Sequence, residues 1–329
     1  MINEKCPFFS IIVPTKNRPN VLSKALESIS NQSFTDYEVI IVDDGSDEVY
    51  QEEVESVVKR FGSAFKLVKR PVSAPSHGPN VARNTGIEAA LGKYVGFLDD
   101  DDYWCDENSL KVAEGAMSQL VGADFFLSDQ VAKLEESVIV DEWLPYLNRT
   151  ISKRHPLPGT DCYSVNVSDI LKPEGIGFPS VNTSLVRRGL LKDIGGFWDG
   201  SPYEGDLNFS LRLLDRVNTA IYRPKVTAVN VLRKQSSLEG VSSIAVKSKQ
   251  LYRMLVCEHA NSYCDNKVVR AYIRLLHSGV LKTIVKEYYK DRSYSLAGEY
   301  ALRAVAIDFS FKWVVIGAFL KLRGMLSKR

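Results

Sequence analysis

An α/β fold built on a mainly parallel central sheet is predicted by two observations. Short apolar runs alternate with stretches of helical periodicity through the first hundred residues, and the runs give way to turn-forming residues. Residues 9–13 form the first strand, closed by Pro14. Val21, Leu22, Ala25, Leu26 and Ile29 then recur at helical spacing. Residues 38–42 form a second strand, ending in Asp43, Asp44, Gly45 and Ser46. Val54, Val57, Val58 and Phe61 mark the next helix, and residues 65–68 a third strand. Residues 81–91 are helical, with Gly92 as the C-cap, and residues 94–98 form the fourth strand. This β-α-β-α-β-α-β order implies right-handed crossovers, which bring the strand C-termini to one rim. Pro14 and Thr15, Asp43 and Asp44, and Asp99 to Asp102 would share it, at the edge where open parallel sheets bind ligands.

The four consecutive aspartates, Asp99 to Asp102, are the most telling part of that rim. Adjacent carboxylates repel one another, and a fold tolerates them most readily around a divalent cation and the phosphates it carries. Taken singly, the run also fits a solvated acidic loop, and residues 43–46 an ordinary Asp-Gly turn. No GxGxxG follows the first strand and no GxxxxGK[ST] occurs, which excludes both glycine cradles for phosphate. A diphosphate on this rim therefore needs a metal ion, which the aspartates can hold. Asp44 can accept a hydrogen bond from a base N–H.

With 329 residues, 45% apolar and 25% charged, the chain is globular and can bury a substantial core in one large domain or two. Five cysteines, an odd number without a CxxC pair, suit a reducing cytosol. Met1 to Lys5 lead directly into a strand pattern, so no signal peptide is expected. No apolar run reaches about 18 residues, so no membrane span is expected. Residues 245–329 carry 16 Lys+Arg against 6 Asp+Glu, whereas residues 1–244 carry 26 against 34. An acidic front and a basic tail imply different partners. In the tail Val269, Tyr272, Ile273, Leu276, Val280, Ile284, Val285 and Tyr288 recur at helical spacing, with basic residues between them. Residues 309–325 are apolar nearly all round a helical wheel. Such helices either pack on the core or rest on an anionic lipid surface, and the coincidence of apolar and basic clusters favours the lipid. Nucleic acid is not expected, because no zinc-finger or aromatic RNA-binding motif accompanies the charge.

Four motifs carry a family resemblance: residues 9–18; residues 28–46, which include Asp43 and Asp44; residues 78–86, around Arg83; and residues 97–102. Together they resemble glycosyltransferase family 2, whose GT-A fold is Rossmann-like, over about residues 8–235 and most densely in the first 105. The chain then divides into a nucleotide-sugar half (1–105), an acceptor half (106–244) and a basic helical extension (245–329). The resemblance implies that Pro14, Thr15 and Arg18 line the nucleotide pocket, beside Asp43, and that Asp44 reads uracil. Arg83 would lie near the base or diphosphate, and Asp99, Asp100 and Asp101 match the DXD motif. Asp99 would face the ribose, and Asp101 would coordinate Mn²⁺ or Mg²⁺ on the diphosphate. Asp102 extends the motif toward the acceptor.

Asp206, near a predicted helix start, falls at the position of the family's catalytic base. The preceding Glu of the family is Gly205 here, with Glu204 one place earlier, so either carboxylate is a candidate. A simple N-cap is the plainer reading of Asp206. Asn182 and Trp198 are candidates for the acceptor side, Trp198 equally for the core. Where relatives carry Arg-x-His, this chain has Arg233, Lys234 and Gln235, so Arg233 and Lys234 would hold the pyrophosphate in place of the imidazole. His77, His155, His259 and His277 show no metal-ligand spacing, and the segments 71–79 and 155–158 read as loops that could cover the donor.

The implied activity is a metal-dependent, inverting transfer from a UDP-sugar to a glycan on a polyprenyl diphosphate, as in bacterial O-antigen, capsule or exopolysaccharide synthesis. A cytoplasmic protein peripheral to the inner membrane face fits that acceptor. Two alternatives stay open. A haloacid-dehalogenase-like phosphatase would use the first strand-end aspartate as nucleophile. A non-catalytic GT-A scaffold would account for Gly205 and Gln235.

Overall fold

The computed structural model describes residues 6–72, 78–172, 178–233 and 244–326. The chain divides into two compact units, residues 1–199 with 216–238, and residues 200–215 with 239–329.

The first unit begins with β1 (Phe9–Thr15), α1 (Pro19–Ser30), β2 (Tyr37–Asp43), α2 (Glu48–Lys59), β3 (Phe65–Lys69), α3 (Asn80–Ala89) and β4 (Tyr94–Phe97). These strands pair in parallel in the order β3-β2-β1-β4. β1 is buried along its whole length, which explains its near-continuous apolar sequence. Its polar residue Ser10 is satisfied within the core: the hydroxyl donates to Glu38 Oε1 (2.7 Å) and accepts from Gly92 N (2.8 Å). α3 lies so close to β1 that a Cβ on Gly86 would stand 2.5 Å from the Ile12 side chain.

The sheet continues through β5 (Tyr103–Trp104), α4 (Ser109–Gln119), β6 (Phe125–Leu134), β7 (Ser137–Val140), α5 (Pro145–Ile151), β8 (Tyr163–Val165), α6 (Val167–Ile170), β9 (Ser184–Arg187), α7 (Arg188–Asp193) and β10 (Ala220–Leu232). Its full order is β3-β2-β1-β4-β9-β6-β10-β5, with β7 on β6 and β8 on β10. β9 runs antiparallel to both β4 and β6, while β6 and β10 return to parallel pairing. The sheet is thus parallel across its first four strands and mixed beyond, with helices on its flanks.

The second unit is helical: α8 (Gly205–Arg216), α9 (Val246–Tyr263), α10 (Lys267–Lys290), α11 (Tyr294–Ile307) and α12 (Phe311–Leu326). α10 is capped by Asn266, whose side chain accepts from Val268 N (2.9 Å), and buries Val269, Ile273, Val280, Leu281, Ile284 and Val285 on one face. Glycines let α11 and α12 meet closely. A Cβ on Gly298 would lie 2.9 Å from Lys321 N, and one on Gly324 would lie 2.6 Å from Ser295 N. This packing sorts the all-round apolar surface of α12 into two faces. Gly317, Leu320 and Gly324 are buried, while Phe311, Val315, Phe319, Leu322 and Leu326 form an exposed stripe at helical spacing. Among the described residues no helix is long and apolar enough to cross a membrane.

Candidate active site

The parallel strands bring three separated stretches to one edge. Thr15 is in register with Asp43 across β1 and β2, Asp44 N donates to Thr15 O (2.9 Å), and Ile12 pairs with Phe97, two residues before the aspartate run. Thr15 closes the link, its hydroxyl donating to Asp100 Oδ2 (2.8 Å).

The four aspartates alternate in role. Asp100 and Asp102 are buried, with 4% and 2% exposure. The side chains of Asp99 and Asp101 are 31% and 26% exposed. Burial pushes the Asp100 carboxyl up to about 7, against the pull of Arg18. Burial, then Asp99 and Asp101, raise Asp102 well above the carboxylate range, although Val231 N (2.7 Å) and Asn230 Nδ2 (2.9 Å) donate to it. Asp101 sits between two guanidiniums, Arg18 Nη1 at 3.0 Å and Arg233 Nη2 at 2.8 Å. Arg18 also reaches Asp100 (3.2 Å). Arg83, buried on α3, donates to Asp99 Oδ1 (2.5 Å) and lies over the Phe197 ring, with its Nε unpartnered. Three arginines from distant parts of the chain thus converge on one acidic turn, a grouping that can neutralise either the aspartates or an incoming diphosphate.

Asp44 is paired with Arg70, which follows β3. Asp43 turns inward and accepts from Ser46 N (2.8 Å), and Pro14 lies beside Val42 in the sheet. Asp102 and Asn182, expected on the acceptor side, are both buried. Asn182 is 3% exposed; its Oδ1 accepts from Asp99 N (3.0 Å) and its Nδ2 donates to Asp102 (2.5 Å). The two residues brace the turn from within, because a buried carboxylate and amide must satisfy each other. Trp198 is partly buried, and its carbonyl accepts from Asn80 Nδ2 (3.0 Å). Lys234, Gln235 and His77 lie outside the described residues, as do residues 73–77 of the first candidate loop.

Glu204 and Asp206 belong to the second unit. Glu204 has a left-handed backbone (φ 60°), and its carboxylate is 10% exposed and held by Arg253 Nε at 2.6 Å. Asp206 is partly buried in the first turn of α8, its Oδ1 accepting from Leu207 N (2.9 Å). Glu204 is thus held in an ion pair with Arg253.

Several site residues escaped sequence reasoning. Arg70, Asn230 and Arg253 come from positions without a local motif. Asn17 (φ 56°) also went unnoticed, although a turn-forming Asn after Pro14 was a usable signal. Its amide nitrogen donates to Ser46 Oγ (2.8 Å) and its side chain to Asp47 Oδ2 (2.9 Å), tying the ends of β1 and β2 together.

The donor set bears on a metal ion. Among the described residues no three His, Cys, Asp or Glu side chains form a cage. A partly exposed Asp101 beside Asp99 instead fits an ion of the Mg²⁺ type, which binds through one or two carboxylates and completes its shell with nucleotide phosphates and water.

Residues 10–153 match the family model described as glycosyl transferase family 2. That stretch is a family 2 glycosyltransferase domain. The match covers the aspartate rim and replaces the phosphatase alternative. Over 116 residues the chain is 38% identical to GalNAc(5)-diNAcBac-PP-undecaprenol beta-1,3-glucosyltransferase of Campylobacter jejuni, covering 35% of this chain and 34% of that protein. The chain therefore spans about a third of the length of such curated relatives. The fold also resembles that of Staphylococcus aureus TarS 1-349 in complex with UDP-GlcNAc (TM-score 0.61, 19% identity, 96% of this chain and 88% of that one). A second likeness is to mannosyltransferase PcManGT from Pyrobaculum calidifontis in complex with GDP-Man and Mn²⁺ (TM-score 0.54, 18% identity, 99% and 89%).

Proposed function

We propose that the protein transfers a sugar from a UDP-sugar to a glycan acceptor on a polyprenyl diphosphate, with inversion at the anomeric carbon. The observation that carries this reading is the common rim of Thr15, Asp44 and Asp99 to Asp102 within a family 2 glycosyltransferase domain. Asp44 would exchange Arg70 for a base N–H. Asp101, with Asp99, would hold Mn²⁺ or Mg²⁺ together with the donor's phosphates. Such an ion, when bound, neutralises charge building on the departing UDP. Arg18 and Arg233, already on Asp101, supply fixed positive charge for the same diphosphate, and Arg83 supplies it beside Asp99. Pro14, Asp43 and Asp100 shape the floor of the pocket.

Asp206 acts as the general base. It takes the acceptor hydroxyl proton as that oxygen bonds to the anomeric carbon from the face opposite UDP, and UDP leaves with the electron pair of the broken C–O bond. The polyprenyl diphosphate acceptor accords with the similarity to the Campylobacter glucosyltransferase that acts on a PP-undecaprenol-linked glycan. A lipid-borne acceptor places the reaction at the inner face of the cell membrane, and the exposed apolar stripe of α12 in a basic tail supports contact with that surface.

The test is UDP release from a panel of UDP-sugars with Mn²⁺, with and without a GlcNAc-diphosphate-lipid. Release from one donor, stimulated by the lipid, is expected. Failure of every donor to yield UDP, or phosphoester hydrolysis in its place, would overturn the proposal. Removing residues 309–329 should lower sedimentation with anionic vesicles and leave UDP binding intact.

A further inference from the structure

We infer that α9 positions the proposed base, Asp206: Asn208 and His259 form a latch that fixes the register of α8, so the first helix of the tail belongs to the transfer machinery. The inference rests on the reading of Asp206 as the base. Polar residues at 204, 208, 212 and 215 recur at helical spacing, so they share one face of α8 and of its entry. Each meets α9 or the turn that follows it. Arg253 Nε donates to Glu204 at 2.6 Å. Asn208 Nδ2 donates to Val256 O (3.4 Å) and meets His259 Nδ1 (3.0 Å). The Arg212 guanidinium lies 5.4 Å from the centre of the Tyr263 ring. Asp215 Oδ1 accepts from Asp265 N (2.8 Å) and Asn266 N (2.7 Å). All of these residues belong to the second unit. The links at 208, 212 and 215 do not depend on the Glu204 pair at the helix entry.

Asn208 is the centre of this seam. It is fully buried, and the groups on either side of its amide have fixed polarity. Arg212 Nε can only donate, and it reaches Asn208 Oδ1 at 2.9 Å; the Val256 carbonyl can only accept. The Asn208 Nδ2 therefore faces His259, whose Nδ1 accepts and whose proton sits on Nε2. Burial, then Arg212, lowers the His259 pKa, which favours that neutral ring. The ring also stacks on Tyr263, with centres 5.9 Å apart. An apolar face would hold α8 with room to slide or turn a little. Buried donors and acceptors that must meet one another allow a single register. Asp206, two residues from both 204 and 208, lies roughly half a turn round the helix and is not a member of the seam. Its height and rotation are nevertheless set by the seam, because the helix moves as one body. A reacting group misplaced by about 1 Å loses on the order of a hundredfold in rate, so the latch bears on turnover although it holds no residue of the strand-end rim.

The test compares the full wild-type chain with His259→Ala, which removes the acceptor, and with His259→Asn, whose Oδ1 can stand where Nδ1 stood. UDP release is followed with Mn²⁺ and the GlcNAc-diphosphate-lipid, from the UDP-sugar that the wild type turns over, beside UDP affinity by calorimetry. His259→Ala should lower kcat about tenfold with UDP affinity unchanged, and His259→Asn should recover most of that loss. On an Asp206→Asn background His259→Ala should have no further effect, because it acts through the base. Wild-type kcat in His259→Ala, with Asp206→Asn inactive, overturns the latch alone. Full turnover in Asp206→Asn overturns the base reading on which the inference rests. Amide hydrogen exchange reads the latch without turnover. Over residues 207–212 it should quicken about tenfold or more in His259→Ala and stay unchanged in β1. Equal exchange in α8 overturns the inference. If His259→Ala unfolds, Tyr263→Leu, at a ring that is 43% exposed, carries both readouts with the same outcomes.

Discussion

The strand-end rim of the first unit and the last helix of the second depart from the usual partition of residues in opposite directions. At the rim, carboxyl groups are buried: Asp100 and Asp102 are 4% and 2% exposed. On α12, apolar surface faces outward: Phe311 and Leu326 are 73% and 72% exposed. The rim offsets its cost inside the fold, through Thr15, Arg18, Asn182 and Asn230. The stripe on α12 has no cover among the described residues. The difference separates two kinds of readiness. A polar site must be assembled in advance, because an unsatisfied buried charge destabilises the fold on its own. An apolar face can wait for its partner, because exposure costs little until something dry arrives.

Five variants sharpen or break that contrast. Asp101→Ala removes the carboxylate that two arginines share, and turnover measured as UDP release should fall on the order of a thousandfold. Asp206→Asn should lower kcat by about a hundredfold or more with UDP affinity unchanged in calorimetry. Glu204→Gln should retain most turnover while lowering the melting temperature, since it breaks the pair with Arg253. Were Glu204→Gln the inactive variant, the base assignment would reverse. On the apolar side, Phe311→Ser with Phe319→Ser should weaken sedimentation with anionic vesicles by roughly a hundredfold, from the area withdrawn from lipid, and leave UDP release from a soluble acceptor intact. Asn182→Ala should destabilise the protein by about 1–3 kcal/mol in urea unfolding, by stripping a donor from Asp102 and an acceptor from Asp99 N.

β1, β2 and β4 were legible in the sequence because they are buried almost throughout, and such strands read as near-continuous apolar runs. β9 was not legible. Its four residues draw their strand character from lying between β4 and β6, a tertiary effect that periodicity does not record. The tail was readable as helix from the spacing of Val269 to Tyr288, but α12 was ambiguous. Its two apolar faces cancel on a helical wheel and separate only once Gly298 and Gly324 draw α11 against α12. The same limit applies at the rim. The aspartates announced themselves as a motif, whereas the alternation of buried and open carboxylates depends on Asn182, Asn230 and Arg233, which lie far along the chain. The burial of Asp102 and Asn182 and the hydrogen bond between them were likewise not legible, since the two lie 80 residues apart.

The central claim is that three strand ends grip a uridine diphosphate together with a cation. Titrating UDP into the full chain with Mn²⁺, and again with EDTA, tests it most directly. Saturable binding that weakens about tenfold or more when the metal is removed is the predicted result. Equal affinity in both conditions, or no binding in either, would contradict it.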